Sequence, residues 1–261
     1  MHNELLTIGN ITIYGYGLMI AIGILVAYLV AEYRAKKMGL DSDPIFSIMI
    51  CAVICGFAGA KLLYYITILD EIIKNPKIIL DVRDGFVVYG GIIIGILAVA
   101  VFCRIKKIHF LSYMDLVLPS VALAQGFGRI GCFLAGCCYG VETNSAFAVT
   151  FHNSDFAPNG IPLFPSQLVS SALDFANFFI LCLLARKNKT PGKIGAFYLI
   201  FYSIGRFVIE FFRGDLQRGS VGTLSTSQFI SIFVVIAGIV MLVFLKKAEK
   251  TNTGNSHNDP C

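Results

Sequence analysis

The sequence predicts an all-α, polytopic membrane protein of seven transmembrane helices, with its N-terminus outside and its C-terminus cytoplasmic. Three observations carry this expectation. Of 261 residues, 56% are hydrophobic and 14% charged, with mean hydropathy +0.76, whereas soluble chains carry roughly 25% charged residues. Apolar runs recur along the chain, each near the ~20 residues that cross a hydrocarbon core. Thirteen Lys and Arg follow the first, third, fifth and seventh runs, against five in the loops of the other face. Cytoplasmic loops hold the positive excess, and an odd number of spans sets the termini on opposite faces. The net charge of +5 follows from this bias and does not argue for nucleic acid.

The spans, in order, are residues 13–33, 46–66, 86–103, 113–131, 165–185, 196–212 and 225–245. The first opens with Tyr14-Gly15-Tyr16-Gly17, placing two phenols at the outer interface, where tyrosine is also a common belt residue. No Lys or Arg precedes it and three follow, so it is not expected to be a cleavable signal. Span two carries Gly56, Gly59 and Ala60, suited to close helix packing, and then Lys61, near enough to the outer end to snorkel. Residues 67–85 mix both charges and read as amphipathic or irregular. Span three begins Tyr89-Gly90-Gly91 and continues to Gly95, a second small-residue face. Residues 132–164 form the longest loop, without Lys or Arg, and a loop this long either covers a site or forms a cap. From Glu249 the chain is polar and reads as disordered. The transmembrane domain is therefore 1–248 and the tail 249–261.

The cysteines do not make a disulfide framework. Cys51, Cys55, Cys103 and Cys182 fall within spans, as small apolar packing residues. Cys132, Cys137 and Cys138 cluster at the outer face. An oxidising compartment would allow Cys132 to pair with one of the other two, since the vicinal pair closes a strained ring. A zinc site would need His152 or an acid as well, because no second cysteine pair matches these three. No metal or soluble cofactor is expected. Terminal Cys261 is not four from the end and does not fit a prenylation signal.

The chemistry gathers on the outer side. Gly128-Arg129-Ile130-Gly131-Cys132-Phe133-Leu134-Ala135-Gly136-Cys137-Cys138-Tyr139-Gly140 places an arginine and four glycines where span four leaves the bilayer. Span six supplies Arg206, Glu210 and Arg213, whose spacings put all three on one helical face. Arg206, seven residues before Arg213, lies ~10 Å below the outer end. Charges within a membrane are functional by default. Arg129 and Arg206 suit a phosphate clamp, because the guanidinium fork contacts phosphate oxygens in pairs, with Glu210 orienting Arg206. An Arg206–Glu210 pair that merely locks span six to a neighbour is the alternative. Two arginines and one glutamate leave a positive site, and the anion at hand is a lipid phosphate.

These residues resemble the bacterial prolipoprotein diacylglyceryl transferase family from about Gly9 to Lys247. Tyr16-Gly17-Leu18-Met19 is similar to the family's opening helix. Gly128-Arg129-Ile130-Gly131 with Phe133, Gly136 and Gly140 resembles its signature, Gly-Arg-x-Gly-Asn-Phe-x-Asn-x-Glu-x-x-Gly. Pro165-Ser166-Gln167-Leu168 and Arg206-Phe207-Val208-Ile209-Glu210-Phe211-Phe212-Arg213 match two further motifs. The resemblance implies transfer of an sn-1,2-diacylglyceryl group from phosphatidylglycerol to the lipobox cysteine of a secreted prolipoprotein. Glycerol phosphate is released, at the outer leaflet of the bacterial cytoplasmic membrane. It carries catalysis onto Arg129, Arg206, Glu210 and, where the family has its candidate base histidine, Tyr89. It carries substrate binding onto Tyr16, Arg129, Gly131, Cys132, Cys137, Gly140, Ser166, Gln167 and Arg206.

The chain departs from the family pattern in its acid–base half. Tyr89 replaces the histidine of His-Gly-Gly, Cys132 and Ala135 replace two asparagines, and Cys137 replaces the glutamate of the signature. Phe164 stands for the histidine before Pro-Ser-Gln, and Ser170 for the glutamate after it. Candidate substitutes for the base are Tyr89, Cys137 and His152. A homologue with a different acceptor, or one that binds anionic lipid without catalysis, is the alternative. Membrane lipids are the expected surroundings.

Overall fold

The computed structural model describes residues 4–8, 11–80, 85–188, 190–215 and 219–255. Among these residues the chain is helical: α1 Gly15–Met38, α2 Asp43–Thr67, α3 Leu69–Lys74, α4 Val88–Ile105, α5 Phe110–Ala135, α6 Ser166–Lys187, α7 Lys193–Glu210 and α8 Thr226–Asn255. Three two-stranded antiparallel hairpins accompany them: β1 Glu4–Ile8 with β2 Ile11–Tyr14, β3 Val149–Thr150 with β4 Pro162–Leu163, and β5 Ser220–Val221 with β6 Leu224–Ser225. Among the described residues, α1, α2, α4, α5, α6 and α8 are long and apolar enough to cross a membrane. The 18-residue α7 carries Lys193, Arg206 and Glu210, and these charges set it apart from the six.

The structure divides into two compact units. One comprises Met1–Val30 and Met114–Cys261, the other Ala31–Tyr113. In the second, α2 and α4 meet through glycines. A side chain at Gly90 would collide with the Gly59 carbonyl, and one at Gly91 would stand 2.8 Å from the Gly56 carbonyl. Tyr-Gly-Gly thus has a packing role, because only glycine lets the backbones approach this closely. Lys61 lies 5.1 Å, 5.0 Å and 5.2 Å from the ring centres of Tyr64, Tyr65 and Phe86, a cationic head held over aromatic faces. Tyr89 stands in the first turn of α4, 39% exposed. Residues 67–85 contain α3 and a 3₁₀ turn at Pro76–Leu80; residues 81–84 lie outside the described set.

In the first unit α5, α6 and α7 share an apolar core of Ala122, Leu181, Ile194 and Tyr198. The start of α7 is fixed by chemistry from α5. Asp115 accepts from the backbone N–H groups of Gly192 and Gly195, both at 2.7 Å. Gly192 takes φ +96°, which a side chain resists, and the carboxylate satisfies donors that a helix start leaves open. Helix α6 lies close on α5, with Ser171 Oγ donating to the Gly126 carbonyl at 2.8 Å. The residue before α1 is in strand, so this helix begins two residues later than the apolar run, and α5 extends four past its expected end at Gly131. Helix α8 continues through Asn255 into the segment read as a disordered tail; residues 256–261 lie outside the described set.

Candidate active site

Residues of α5, α6 and α7 line a half-open pocket. Arg129 reaches it from α5. From α6 come Ser170, Leu173, Asp174 and Asn177, and from α7 Phe201, Tyr202, Gly205, Arg206 and Ile209. The two arginines that the sequence singled out therefore face one space.

Their commitments differ. Arg206 Nη2 donates to Ser227 Oγ at 2.8 Å and stands 2.7 Å from Glu210 Oε2, with side chains 13% and 6% exposed. Its Nη1 is buried without a hydrogen-bond partner. Arg129 makes no hydrogen bond among the described residues, and its charge acts on Cys132, Asp174 and Cys138. Unused guanidinium donors inside a membrane-spanning bundle are costly and are satisfied by an anion with several acceptor oxygens.

Three expectations are corrected here. Helix α7 ends at Glu210, so Arg213 does not share a helical face with Arg206 and Glu210. Phe211 and Phe212 turn the chain, and Arg213 donates to both carboxylate oxygens of Asp215, at 2.9 Å and 2.8 Å. Arg206 is accordingly one turn, roughly 6 Å, from the helix end. The charge of the pocket is also different, since Asp174, 7% exposed, feels both Arg129 and Arg206. Its carboxyl stands beside the arginines in addition to Glu210, and the count of two arginines and one glutamate left it out.

Sequence reading missed Asp174 and Asn177. Asn177 is 6% exposed and neither side-chain atom has a partner; an orphaned buried polar group costs about 1–3 kcal/mol. The available signal was the stripe Ser170, Asp174, Asn177, spaced to share one face of an otherwise apolar helix.

The signature loop is built beside this pocket. After α5, Gly136 and Cys138 take φ +75° and +61°, folding residues 136–138 into a tight turn. Ser166 Oγ donates to the Cys138 carbonyl at 2.8 Å and Gln167 Nε2 to the Cys137 carbonyl at 2.9 Å. Ser166 and Gln167 are 2% and 1% exposed, so these polar groups of the Pro-Ser-Gln motif hold the turn's backbone. Gly140 lies against the Phe164 and Phe212 carbonyls, its N–H donates to Phe164 O at 3.1 Å, and Gly214 N–H donates to Tyr139 O at 3.1 Å. Gly131 packs on Tyr16, where a Cβ would stand 3.2 Å from both the ring and the carbonyl. Tyr16 itself is 42% exposed, within electrostatic reach of Arg129 and of Cys132, Cys137 and Cys138. His152 is exposed on the loop between α5 and α6, and Tyr89 belongs to the other unit.

The sulfurs of Cys132, Cys137 and Cys138 lie within 4.8 Å of one another as thiols, with no disulfide among the described residues. Hydrogen bonds from Cys132 and Cys137, and the Arg213 charge, hold the Cys138 thiol well below the usual thiol range. The hydrogen bonds to Cys132 and Cys138, then burial, push Cys137 up. Burial works against the Arg213 charge, but the hydrogen bond to Asp215 and the Cys138 sulfur outweigh it and raise its pKa.

The fold defines a polytopic α-helical membrane protein. A family model described as prolipoprotein diacylglyceryl transferase matches residues 3–244, and the chain belongs to that family. It is 51% identical over 230 residues to the phosphatidylglycerol--prolipoprotein diacylglyceryl transferase of Clostridium tetani, covering 88% of this chain and 92% of that one. Over 246 residues it is 47% identical to phosphatidylglycerol--prolipoprotein diacylglyceryl transferase 2 of Clostridium perfringens, with 94% and 96% covered. A relative from Finegoldia magna, named as the same transferase, is 34% identical over 243 residues, with 92% and 94% covered.

Proposed function

We propose that this protein transfers an sn-1,2-diacylglyceryl group from phosphatidylglycerol to the lipobox cysteine thiol of secreted prolipoproteins, releasing glycerol phosphate. It acts at the outer leaflet of the bacterial cytoplasmic membrane, with α7 as a further span and the N-terminus outside. The observation that carries this reading is the pair Arg129 and Arg206 facing one pocket, Arg129 without a hydrogen bond among the described residues and Arg206 with Nη1 unpartnered.

The reaction joins the acceptor sulfur to the glyceryl carbon and breaks that carbon's bond to a phosphate oxygen. Negative charge gathers on the departing glycerol phosphate, and fixed cations in a low-dielectric pocket stabilise it strongly. Arg129 takes the phosphate as the uncommitted ligand. Arg206 takes it from a position fixed by Glu210 and Ser227. Tyr16, beside the signature turn, serves the head group. Gly131, Cys132, Cys137, Gly140, Ser166 and Gln167 contribute to substrate binding as the packed turn that borders the site. Tyr89 is assigned as the base, receiving the proton of the incoming thiol in its phenolate form.

The test is incubation of the purified protein with phosphatidylglycerol and a lipobox peptide, read by mass. A diacylglyceryl adduct on the peptide's cysteine, with release of glycerol phosphate, is expected. Bound phosphatidylglycerol without any adduct would turn the reading toward a lipid-binding homologue.

A further inference from the structure

Cys132 and Cys137 stand where the family signature has an asparagine and a glutamate, and the fold brings both together with Cys138. Cys132 sits in the last turn of α5, and Cys137 and Cys138 in the turn that follows. Adjacent side chains on an extended backbone point to opposite sides. Cys138 takes a left-handed φ of +61°, and its sulfur lies with the other two. A non-glycine residue in this conformation is uncommon and strained, a mark of functional geometry. The turn is also anchored at the cysteines themselves, since Ser166 and Gln167 hold the carbonyls of Cys138 and Cys137.

Three sulfurs within 4.8 Å of one another are close to the spacing a metal demands. A zinc–sulfur bond of about 2.3 Å places tetrahedral sulfurs roughly 3.8 Å apart, so a shift of about 1 Å or less closes the site. Three thiolates on Zn²⁺ leave one negative charge, which meets the Arg213 guanidinium at Cys138 and the charge of Arg129. Structural zinc sites are closed by four protein ligands, whereas sites that do chemistry keep one position open. Among the described residues no fourth Cys, His, Asp or Glu joins this cluster.

We propose that Cys132, Cys137 and Cys138 bind Zn²⁺ with an open fourth position, at which the acceptor thiol binds as a thiolate. This rests on the transferase reading above. Coordination would displace the thiol proton to water, and the metal-held thiolate would be a nucleophile at neutral pH. Its electron pair forms the bond to the glyceryl carbon. The carbon–oxygen bond to phosphate breaks, and that pair leaves on glycerol phosphate at Arg129 and Arg206. The neutral thioether is a weaker ligand than thiolate and vacates the metal.

The experiment uses the full-length protein in detergent, titrated with Co²⁺ as a spectroscopic substitute for Zn²⁺. About one equivalent should bind, with thiolate-to-metal charge-transfer absorption and tetrahedral d–d bands. Both should vanish in Cys137→Ser and Cys138→Ser. A lipobox peptide should shift the d–d bands, and the same peptide with Ser for Cys should not. Chelation of the native protein should lower transfer roughly 100-fold, restored by one equivalent of Zn²⁺. A wild-type titration without thiolate bands, or metal binding that survives all three Cys→Ser changes together, would overturn the site. Bands indifferent to the cysteine peptide would overturn the open position. Full transfer in chelated protein would overturn the zinc role while leaving the transferase reading intact. Metal and peptide binding without transfer would sink the transferase reading alone.

Discussion

Arg129 allows stability to be separated from chemistry. It makes no hydrogen bond among the described residues, yet it lines the pocket with Arg206 and Asp174. Arg129→Ala removes a cation that makes no hydrogen bond among the described residues and has Asp174 as a nearby counter-charge, so the thermal midpoint should change little. Activity should collapse. A bidentate contact with phosphate comprises two charge-assisted hydrogen bonds of about 1.5–3 kcal/mol each. Losing both is about 3–6 kcal/mol, roughly 10²- to 10⁴-fold in kcat/KM. The assay is diacylglyceryl transfer to a lipobox peptide, with thermal denaturation in the same detergent. Activity within about threefold of wild type would refute the phosphate role, a threefold change being under about 0.7 kcal/mol. A steep drop in midpoint alongside lost activity would show Arg129 to be a structural residue.

Arg206→Ala should behave differently, since it strands Glu210 at 6% exposure; breaking such a buried pair costs about 3–5 kcal/mol. In a double-mutant cycle with Glu210→Ala, strictly additive losses of stability would refute the coupling. Gly140→Ala forces a methyl against the backbone carbonyls of Phe164 and Phe212, which cannot swing aside, and should abolish folded protein in detergent chromatography; normal yield would refute this packing. Asp174→Asn removes the carboxylate that competes with phosphate for Arg129 and Arg206, so binding of phosphatidylglycerol vesicles should tighten several-fold, and weaker binding would instead make Asp174 a ligand of the head group. In chelator-treated protein, Cys138 should alkylate faster than Cys137 at neutral pH. Its lowered pKa keeps it a thiolate until the pH falls through that value, while the raised value of Cys137 keeps the proton on; equal rates at neutral pH would count against the assignment.

Much of the architecture is legible in the chain because a bilayer restricts what can cross it. Backbone groups in hydrocarbon must be satisfied internally, so each long apolar run becomes a helix, and six of the seven do so with the length and apolarity to span. The seventh, α7, carries Lys193, Arg206 and Glu210, and Arg206 lines one pocket with Arg129 of α5. Arg129, Arg206 and Glu210 were readable for the same reason, because charge at membrane depth has few structural uses. Helix ends were read less well. Whether α7 stops at Glu210 or runs to Arg213 depends on the turn at Phe211 and Phe212 and on Gly214 lying against Gly140, a contact between distant segments.

The sequence by itself determined the class of protein and the family, and it singled out the two arginines that face one pocket, since hydrophobic length and membrane charge are local properties. Only the tertiary structure decided that Asp174 and Asn177 share the arginines' pocket, because one α6 stripe gains meaning only against α5 and α7. It also decided that Ser166 and Gln167 hold the turn's backbone and that three cysteines converge within 4.8 Å. The direction in which a side chain points through a turn is set by backbone dihedrals and by contacts from segments far along the chain. Neither is written in the spacing of the residues.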